Sequence, residues 1–99
     1  MKTKTNISLN SIVSNTETNI EGVRLFCVIS EAIKNNTELM LEIDSDMTLS
    51  SSFLNSSFGE IIERFDLEKL KSTVKIKTSR TQFQRISEYL NKFNSIYQH

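Results

Sequence analysis

Residues 39–65, LMLEIDSDMTLSSSFLNSSFGEIIERF, constrain the fold more than any other part of the chain. Leu39, Leu41 and Ile43 have the alternating spacing of a buried strand, and Met40 between them predicts partial cover on its second face. A short acidic loop rich in serine follows. Apolar residues then recur three or four positions apart, which predicts a helix. These residues are Phe53, Leu54, Phe58, Ile61, Ile62 and Phe65.

Three consecutive serines, Ser50, Ser51 and Ser52, lie where this helix is expected to begin. A serine hydroxyl at a helix start can accept a hydrogen bond from a backbone N–H group that has no helical partner. The same position also favours added negative charge, because the helix dipole and the free amides point towards it. The serines are therefore either a helix cap or a phosphorylation switch, with Ser51 and Ser52 as the candidate phosphoacceptors.

The N-terminal part of the chain predicts a strand and a helix. Alternation at Ile7 and Leu9 indicates a strand near residues 4–13. Thr18 and Glu21 have the spacing of a capping box, in which each residue bonds to a free N–H group of the other. The apolar stripe expected on the helix after them is Ile20, Val23, Phe26, Cys27, Ile29 and Ile33. Asn35 and Asn36 then suit a helix end, because asparagine tolerates the left-handed backbone found there.

The C-terminal part predicts a turn, a strand and a last helix. The turn spans residues 67–70 and the strand 73–78, with Val74 and Ile76 on one face and lysines on the other. Ser79 and Gln82 repeat the capping-box spacing. The stripe expected on the last helix is Phe83, Ile86, Leu90, Phe93 and Tyr97. Gly59 inside the preceding helix indicates either close packing or tolerance at the surface.

The element order is β-α-β-α-β-α, which predicts a small α/β domain spanning residues 1–99. Strands joined through helices favour parallel pairing, so we expect a mostly parallel or mixed sheet. Lys75 and Lys77 on the outer face of the third strand predict that the helices cover one face only. The result is a two-layer domain with a free sheet face.

Composition restricts the classes of function. The chain has 12 basic and 12 acidic residues, and its one dense basic group, Lys69, Lys71, Lys75 and Lys77, lies close in sequence to Glu63, Asp66 and Glu68. We therefore expect no binding to nucleic acid. No apolar run approaches the roughly 18 residues of a membrane span. Cys27 is the only cysteine, and we expect it to be a small core side chain in a reducing compartment, the cytoplasm.

The sequence offers little to support catalysis. The only histidine is the terminal His99, and neither glycine belongs to a phosphate-binding loop. Asp44 and Asp46 at the end of the second strand suit a solvated turn better than a metal site. We therefore predict no enzyme activity, no catalytic residue, no cofactor and no metal.

Three segments carry a family resemblance: GVRLFCVISEAI from Gly22, LMLEIDSDMTLSSSFLNSSFGEI from Leu39, and VKIKTSRTQFQRISEYL from Val74. Together they resemble the small STAS-like domains of bacteria, relatives of the anti-anti-sigma factors, over roughly residues 20–90. The resemblance implies a compact domain that works by binding other proteins. In anti-anti-sigma factors, a serine in an Asp-Ser-Ser-Gly motif starts a helix, and a partner kinase of the histidine-kinase ATPase fold phosphorylates it, which releases that partner.

The matching residues here are 50–54, where serine replaces the aspartate and Phe53 or Leu54 replaces the glycine. We expect a non-enzymatic regulatory module whose partner is a protein such as a histidine-kinase-type ATPase. The expected partner-binding residues are Asp46, Thr48, Ser50, Ser51, Ser52 and Asn55. One alternative is a constitutive assembly protein, such as a homodimer, that self-associates through the free sheet face or an edge strand. Another is a small-ligand site at the strand ends near Asp44 and Asp46.

Overall fold

The three strands of the sheet are parallel and pair in the order in which they occur in the chain. The computed structural model describes residues 3–97, and the side chains of residues 3–95. The strands are β1 (Thr3–Ser8), β2 (Thr37–Glu42) and β3 (Val74–Lys77), with β2 in the centre. Ile7, Leu41 and Ile76 lie side by side across the sheet. The predicted parallel pairing is confirmed, and no antiparallel strand occurs among the described residues.

Helices join the strands in the predicted order. They are α1 (Leu9–Ile12), α2 (Asn19–Lys34), α3 (Ser51–Leu54), a π-helical segment (Asn55–Gly59), α4 (Glu60–Arg64), α5 (Leu67–Thr73) and α6 (Arg80–Tyr97). The segments from α3 to α4 follow one another without a break, and we call residues 51–64 the central helix. The side chain of Tyr97, predicted on the stripe of α6, and the whole of His99 lie outside the described residues.

Two predicted boundaries are wrong for local reasons. The first strand ends at Ser8 rather than near residue 13, because α1 turns Leu9 fully into the core. The turn predicted at residues 67–70 is instead the beginning of α5. Asp66 caps this helix by accepting a hydrogen bond from the Lys69 N–H at 2.6 Å, and the helix buries Leu67 and Leu70.

The helices pack against one face of the sheet, as predicted. Leu39, Leu41 and Val74 on that face are buried in a single core with side chains from α2, the central helix and α6. On the opposite face Met40 is 37% exposed and Lys75 is exposed. The expected partial cover of β2 on its second face is therefore wrong at Met40, because the helices lie on the other side of the sheet.

The buried face of α2 differs from the predicted stripe. Gly22, Leu25, Ile29 and Ala32 face the core, whereas Cys27 is exposed and Ile20 and Val23 are 68% and 48% exposed. The prediction that Cys27 is a core side chain is wrong. The physical reason is that Gly22 faces the central helix, where no Cβ fits: one would lie 2.6 Å from the carbonyl oxygen of Phe53. The residues that share the face of Gly22 are therefore the buried ones.

The two ends of α2 follow the local signals. The Thr18 hydroxyl accepts from the Glu21 N–H at 3.4 Å, but the Glu21 carboxylate accepts from the Ser14 N–H at 2.6 Å instead of returning to Thr18. Half of the capping box is thus formed. At the other end, Asn36 has a φ of 55°, the left-handed geometry expected there. Within residues 3–97, no helix has the length and apolarity needed to cross a membrane.

Candidate partner-binding surface

The loop between β2 and the central helix is fixed by hydrogen bonds from two directions. From the segment before α2, the Thr16 hydroxyl donates to the Thr48 carbonyl at 2.5 Å, and the Thr16 carbonyl accepts from the Ser50 N–H at 3.0 Å. From α6, the Gln82 amide donates to the Met47 carbonyl at 2.7 Å. Thr16 and Gln82 are buried. The loop therefore presents its exposed side chains from a backbone that is held in place.

Ser50 is the cap of the central helix. Its hydroxyl accepts from the Phe53 N–H at 3.1 Å and donates to the Glu17 carbonyl at 2.7 Å. Its backbone φ and ψ of −72° and 159° are those of an N-cap residue. The capping interpretation is thus confirmed at Ser50, whose hydroxyl is engaged both as donor and as acceptor.

Ser51 and Ser52 differ from Ser50. They occupy the first two positions of the central helix, and both are exposed. Within the described part of the chain, neither hydroxyl takes part in a side-chain hydrogen bond. The structure therefore divides the serine run into one structural residue and two accessible hydroxyls.

The other predicted partner-binding residues lie around this helix start. Asp46 and Thr48 are exposed in the loop, and Asn55 is exposed one turn into the helix. Asn55 also forms a short hydrogen bond with the Tyr89 hydroxyl, which links it to α6. We call the set Asp46, Thr48, Ser50, Ser51, Ser52 and Asn55 the serine surface.

Close packing behind the serine surface fixes the central helix. Gly22 of α2 abuts the carbonyl of Phe53, and the buried Ser57 hydroxyl donates to the same carbonyl at 2.8 Å. At Gly59, an added Cβ would lie 3.0 Å from ring atoms of Phe93. The close-packing interpretation of Gly59 is therefore confirmed.

A cation–π contact and an ion pair lie at the far end of the central helix. Arg64 donates to the Glu60 carboxylate at 2.7 Å, and its guanidinium lies 5.4 Å from the centre of the Phe26 ring. The hydrogen bond that Arg64 donates to Glu60, followed by the negative charge of Glu60, raises the pKa of Arg64. Arg64 therefore remains a cation throughout the pH range in which proteins are usually studied, and it joins the helix end to α2.

The acidic residues at the strand ends do not converge. Asp44 accepts from the Asn10 amide at 3.0 Å, and Asp46 is exposed in the adjacent turn. Among the described residues, no group of three or more His, Cys, Asp or Glu side chains is placed to hold a metal ion. A shallow depression of about 350 Å³ on the open sheet face is lined by Ser8, Met40, Glu42 and Lys77 among others, and not by either aspartate.

Some residues that build the serine surface had no signal in the sequence. Thr16 and Glu17 fix Thr48 and Ser50 through contacts between two distant loops, and Tyr89 reaches Asn55 from α6. The Ser79–Gln82 spacing did point to Gln82. Its backbone N–H is bonded to the Ser79 hydroxyl at 3.2 Å, but its side chain binds the loop rather than returning to Ser79.

The chain matches the model of a protein family. No curated protein matches the chain, and no solved structure matches it. The model of a family described as "STAS-like domain of unknown function (DUF4325)" matches residues 21–81, which is more than half of the chain. The match includes β2, the central helix and β3. The chain therefore belongs to the STAS-like domain family of unknown function.

Proposed function

We propose that this protein is a non-enzymatic regulatory module that binds a protein partner through the serine surface. The proposal rests on the different roles of the three serines. Ser50 caps the helix, whereas Ser51 and Ser52 are exposed on a backbone that is held in place. STAS-like domains are typically non-catalytic, which supports a binding role.

The partner that suits this surface is a histidine-kinase-type ATPase, which also supplies the phosphate. In the switch, the hydroxyl oxygen of Ser51 or Ser52 forms a bond to the γ-phosphorus of the ATP bound to the partner. The bond from that phosphorus to the β–γ bridging oxygen breaks, ADP leaves, and the hydroxyl proton passes to water. Ser50 is a poor acceptor because phosphorylation there would replace the hydroxyl proton that bonds to the Glu17 carbonyl. The proposal places the protein in the cytoplasm, where ATP is available.

Electrostatics predict the outcome of phosphorylation. A phosphoserine carries about −1.5 to −2 charges at neutral pH. At the first turn of the central helix this charge is locally stabilised by the helix dipole, so the fold is retained. The loop that carries Asp44 and Asp46 is already acidic, and a docked partner would exclude water from the phosphate. Binding is therefore lost while the domain remains folded.

The test uses the candidate ATPase, identified as the product of an adjacent gene and captured with the purified chain. Mass spectrometry after incubation with that ATPase and ATP should locate a phosphate on Ser51 or Ser52. Ser51→Asp and Ser52→Asp should then reduce capture, whereas Ser51→Asn and Ser52→Asn, similar in size and neutral, should retain it. Aspartate variants that bind as tightly as the wild-type chain would refute the switch.

A second candidate function is constitutive assembly through the open sheet face. The observation that favours it is Met40, a large apolar side chain exposed at the centre of that face. Light scattering over a concentration series tests it. A dimer that Met40→Glu dissociates and Ser51→Asp leaves intact would favour assembly through the sheet, whereas a monomer at all concentrations would exclude it.

A further inference from the structure

An apolar cleft of about 490 Å³ lies between β3, α5 and α6. Its volume falls within the range of about 300–1,000 Å³ that is usual for binding sites. Val74 and Ile76 of β3 line one wall, and Phe83, Ile86 and Leu90 of α6 line another. Phe83 remains 48% exposed although Ile86 and Leu90 on the same stripe are buried. The helix therefore leaves part of its apolar stripe open beside the strand.

The strand beside the cleft is an edge of the sheet. Among residues 3–97, β3 pairs with β2 on one side and has no strand on the other. The Lys77 carbonyl accepts from the Ile43 N–H at 3.0 Å, so it faces β2. Because successive residues of a strand direct their backbone groups to opposite sides, the N–H and C=O of Ile76 face outward. Such an edge is a template for pairing with another chain.

Charge determines which chain fits this edge. Lys75 and Lys77 are exposed on the open face of β3, and Lys71 lines the cleft. The Lys75 ammonium donates to the Lys71 carbonyl at 2.9 Å, and Lys77 lies 3.9 Å from the exposed Glu42 carboxylate, so three cations at this edge face one acidic side chain of β2. If two copies paired antiparallel through β3, with their helices on the same side, Lys75 and Lys77 would lie opposite lysines of the second copy. Like charges directly opposite each other destabilise a strand pair. The edge therefore disfavours a second copy and favours an acidic segment of another protein.

The dimensions of the edge and the cleft agree. The three steps from Val74 to Lys77 span about 10 Å along β3 at the rise of a strand. The seven steps from Phe83 to Leu90 span about 11 Å along α6 at the rise of an α-helix. An extended segment of four or five residues would cover both.

We propose that the outer edge of β3 and the cleft beside it form a docking site, the β3–α6 groove, for an extended partner segment in which apolar and acidic residues alternate. The segment adds a fourth strand to the sheet. Its apolar side chains enter the cleft against Ile76 and Phe83, and its carboxylates lie beside Lys75 and Lys77. Backbone pairing supplies affinity and the alternating pockets supply specificity, as in other domains that bind peptides by strand addition.

The experiment titrates the full chain with a capped synthetic peptide of alternating valine and glutamate and follows its amide NMR spectrum. The matched control peptide has lysine in place of each glutamate. We expect saturable shifts in β3 and α6 with the glutamate peptide and slower hydrogen exchange at the Ile76 N–H. The double variant Lys75→Glu and Lys77→Glu loses two cross-strand charge pairs with the glutamate peptide. We expect it to bind that peptide about tenfold more weakly. The same variant should gain affinity for the lysine peptide.

Two variants test whether the peptide binds at the β3–α6 groove. Phe83→Ser should reduce affinity without unfolding the chain, because the side chain is already half exposed. Ser51→Asp should leave peptide binding unchanged, so the result is independent of the serine surface. Equal binding of the glutamate and lysine peptides, shifts confined to the serine surface, or no shift at saturating peptide would each overturn the proposal.

Discussion

Replacing Gly22 by alanine should destabilise the fold, although alanine is the better helix former. A Cβ at this position would lie 2.6 Å from the carbonyl oxygen of Phe53 and 2.8 Å from the Cβ of Ser56, where ordinary contacts begin at 3.4 Å. Backbone atoms of a helix cannot rotate away, so α2 and the central helix must separate by several tenths of an ångström. Overpacking of this kind costs about 1–3 kcal/mol.

The gain in helix propensity from glycine to alanine offsets about 1 kcal/mol of that cost. Because the contact is with backbone, we take the upper part of the overpacking range, about 2–3 kcal/mol. We therefore expect Gly22→Ala to lower the free energy of unfolding by about 1–2 kcal/mol. For a domain of this size each kcal/mol corresponds to about 4–8 °C in the melting temperature. Urea unfolding followed by circular dichroism measures the free energy, and thermal unfolding provides a check.

Gly59→Ala is the matched control. Its Cβ would meet ring atoms of Phe93 at 3.0 Å, and this half-buried side chain can shift where a backbone carbonyl cannot. The small steric cost and the propensity gain should nearly cancel, leaving the free energy of unfolding within about 1 kcal/mol of the wild-type value. If Gly22→Ala were as stable as the wild-type chain, or less harmful than Gly59→Ala, the reasoning from backbone contact would fail.

Three further predictions follow from the described contacts. Ser50→Ala should cost about 1–2 kcal/mol through loss of the cap, whereas Ser51→Ala should stay within about 0.5 kcal/mol; equal effects in urea unfolding would contradict the division of roles. Leu41→Ala should cost about 2–5 kcal/mol because it leaves a cavity, and Met40→Ala on the open face should cost much less; comparable losses would mean that the second face is covered. Cys27 is exposed, so a thiol reagent should label it without denaturant, and labelling only after unfolding would show that it is buried.

Local signals predicted the three strands, the longer helices and most of their ends, but they missed the short helices α1 and α5 and the buried face of α2. The cap at Ser50 and the helix end at Asn36 depend on neighbouring residues and were predicted correctly. The buried face of α2 was wrong at Cys27 because contact between Gly22 and Phe53, which are distant in sequence, sets the rotation of that helix. Apolar periodicity alone cannot distinguish a stripe that packs from a neighbouring stripe of similar character.

The serine surface, likewise, could be predicted from the sequence only in part. Its position at the start of the central helix followed from the serine run, because capping is a local interaction. Its rigidity did not, since Thr16 and Tyr89 reach it from distant parts of the chain. Nothing in the spacing of these two residues distinguishes them from other polar side chains in the sequence.

The π-helical segment at Asn55–Gly59 has a consequence for comparing members of the family. A π-turn holds one residue more than the α-helical turn that it replaces, and each α-helical residue turns the chain by about 100°. Relatives whose central helix is α-helical throughout would need one residue fewer to keep both the serine run and Phe58 in their present directions. A sequence alignment should therefore place a one-residue gap within this segment, and an ungapped alignment there would pair the serines with residues on a different side of the helix.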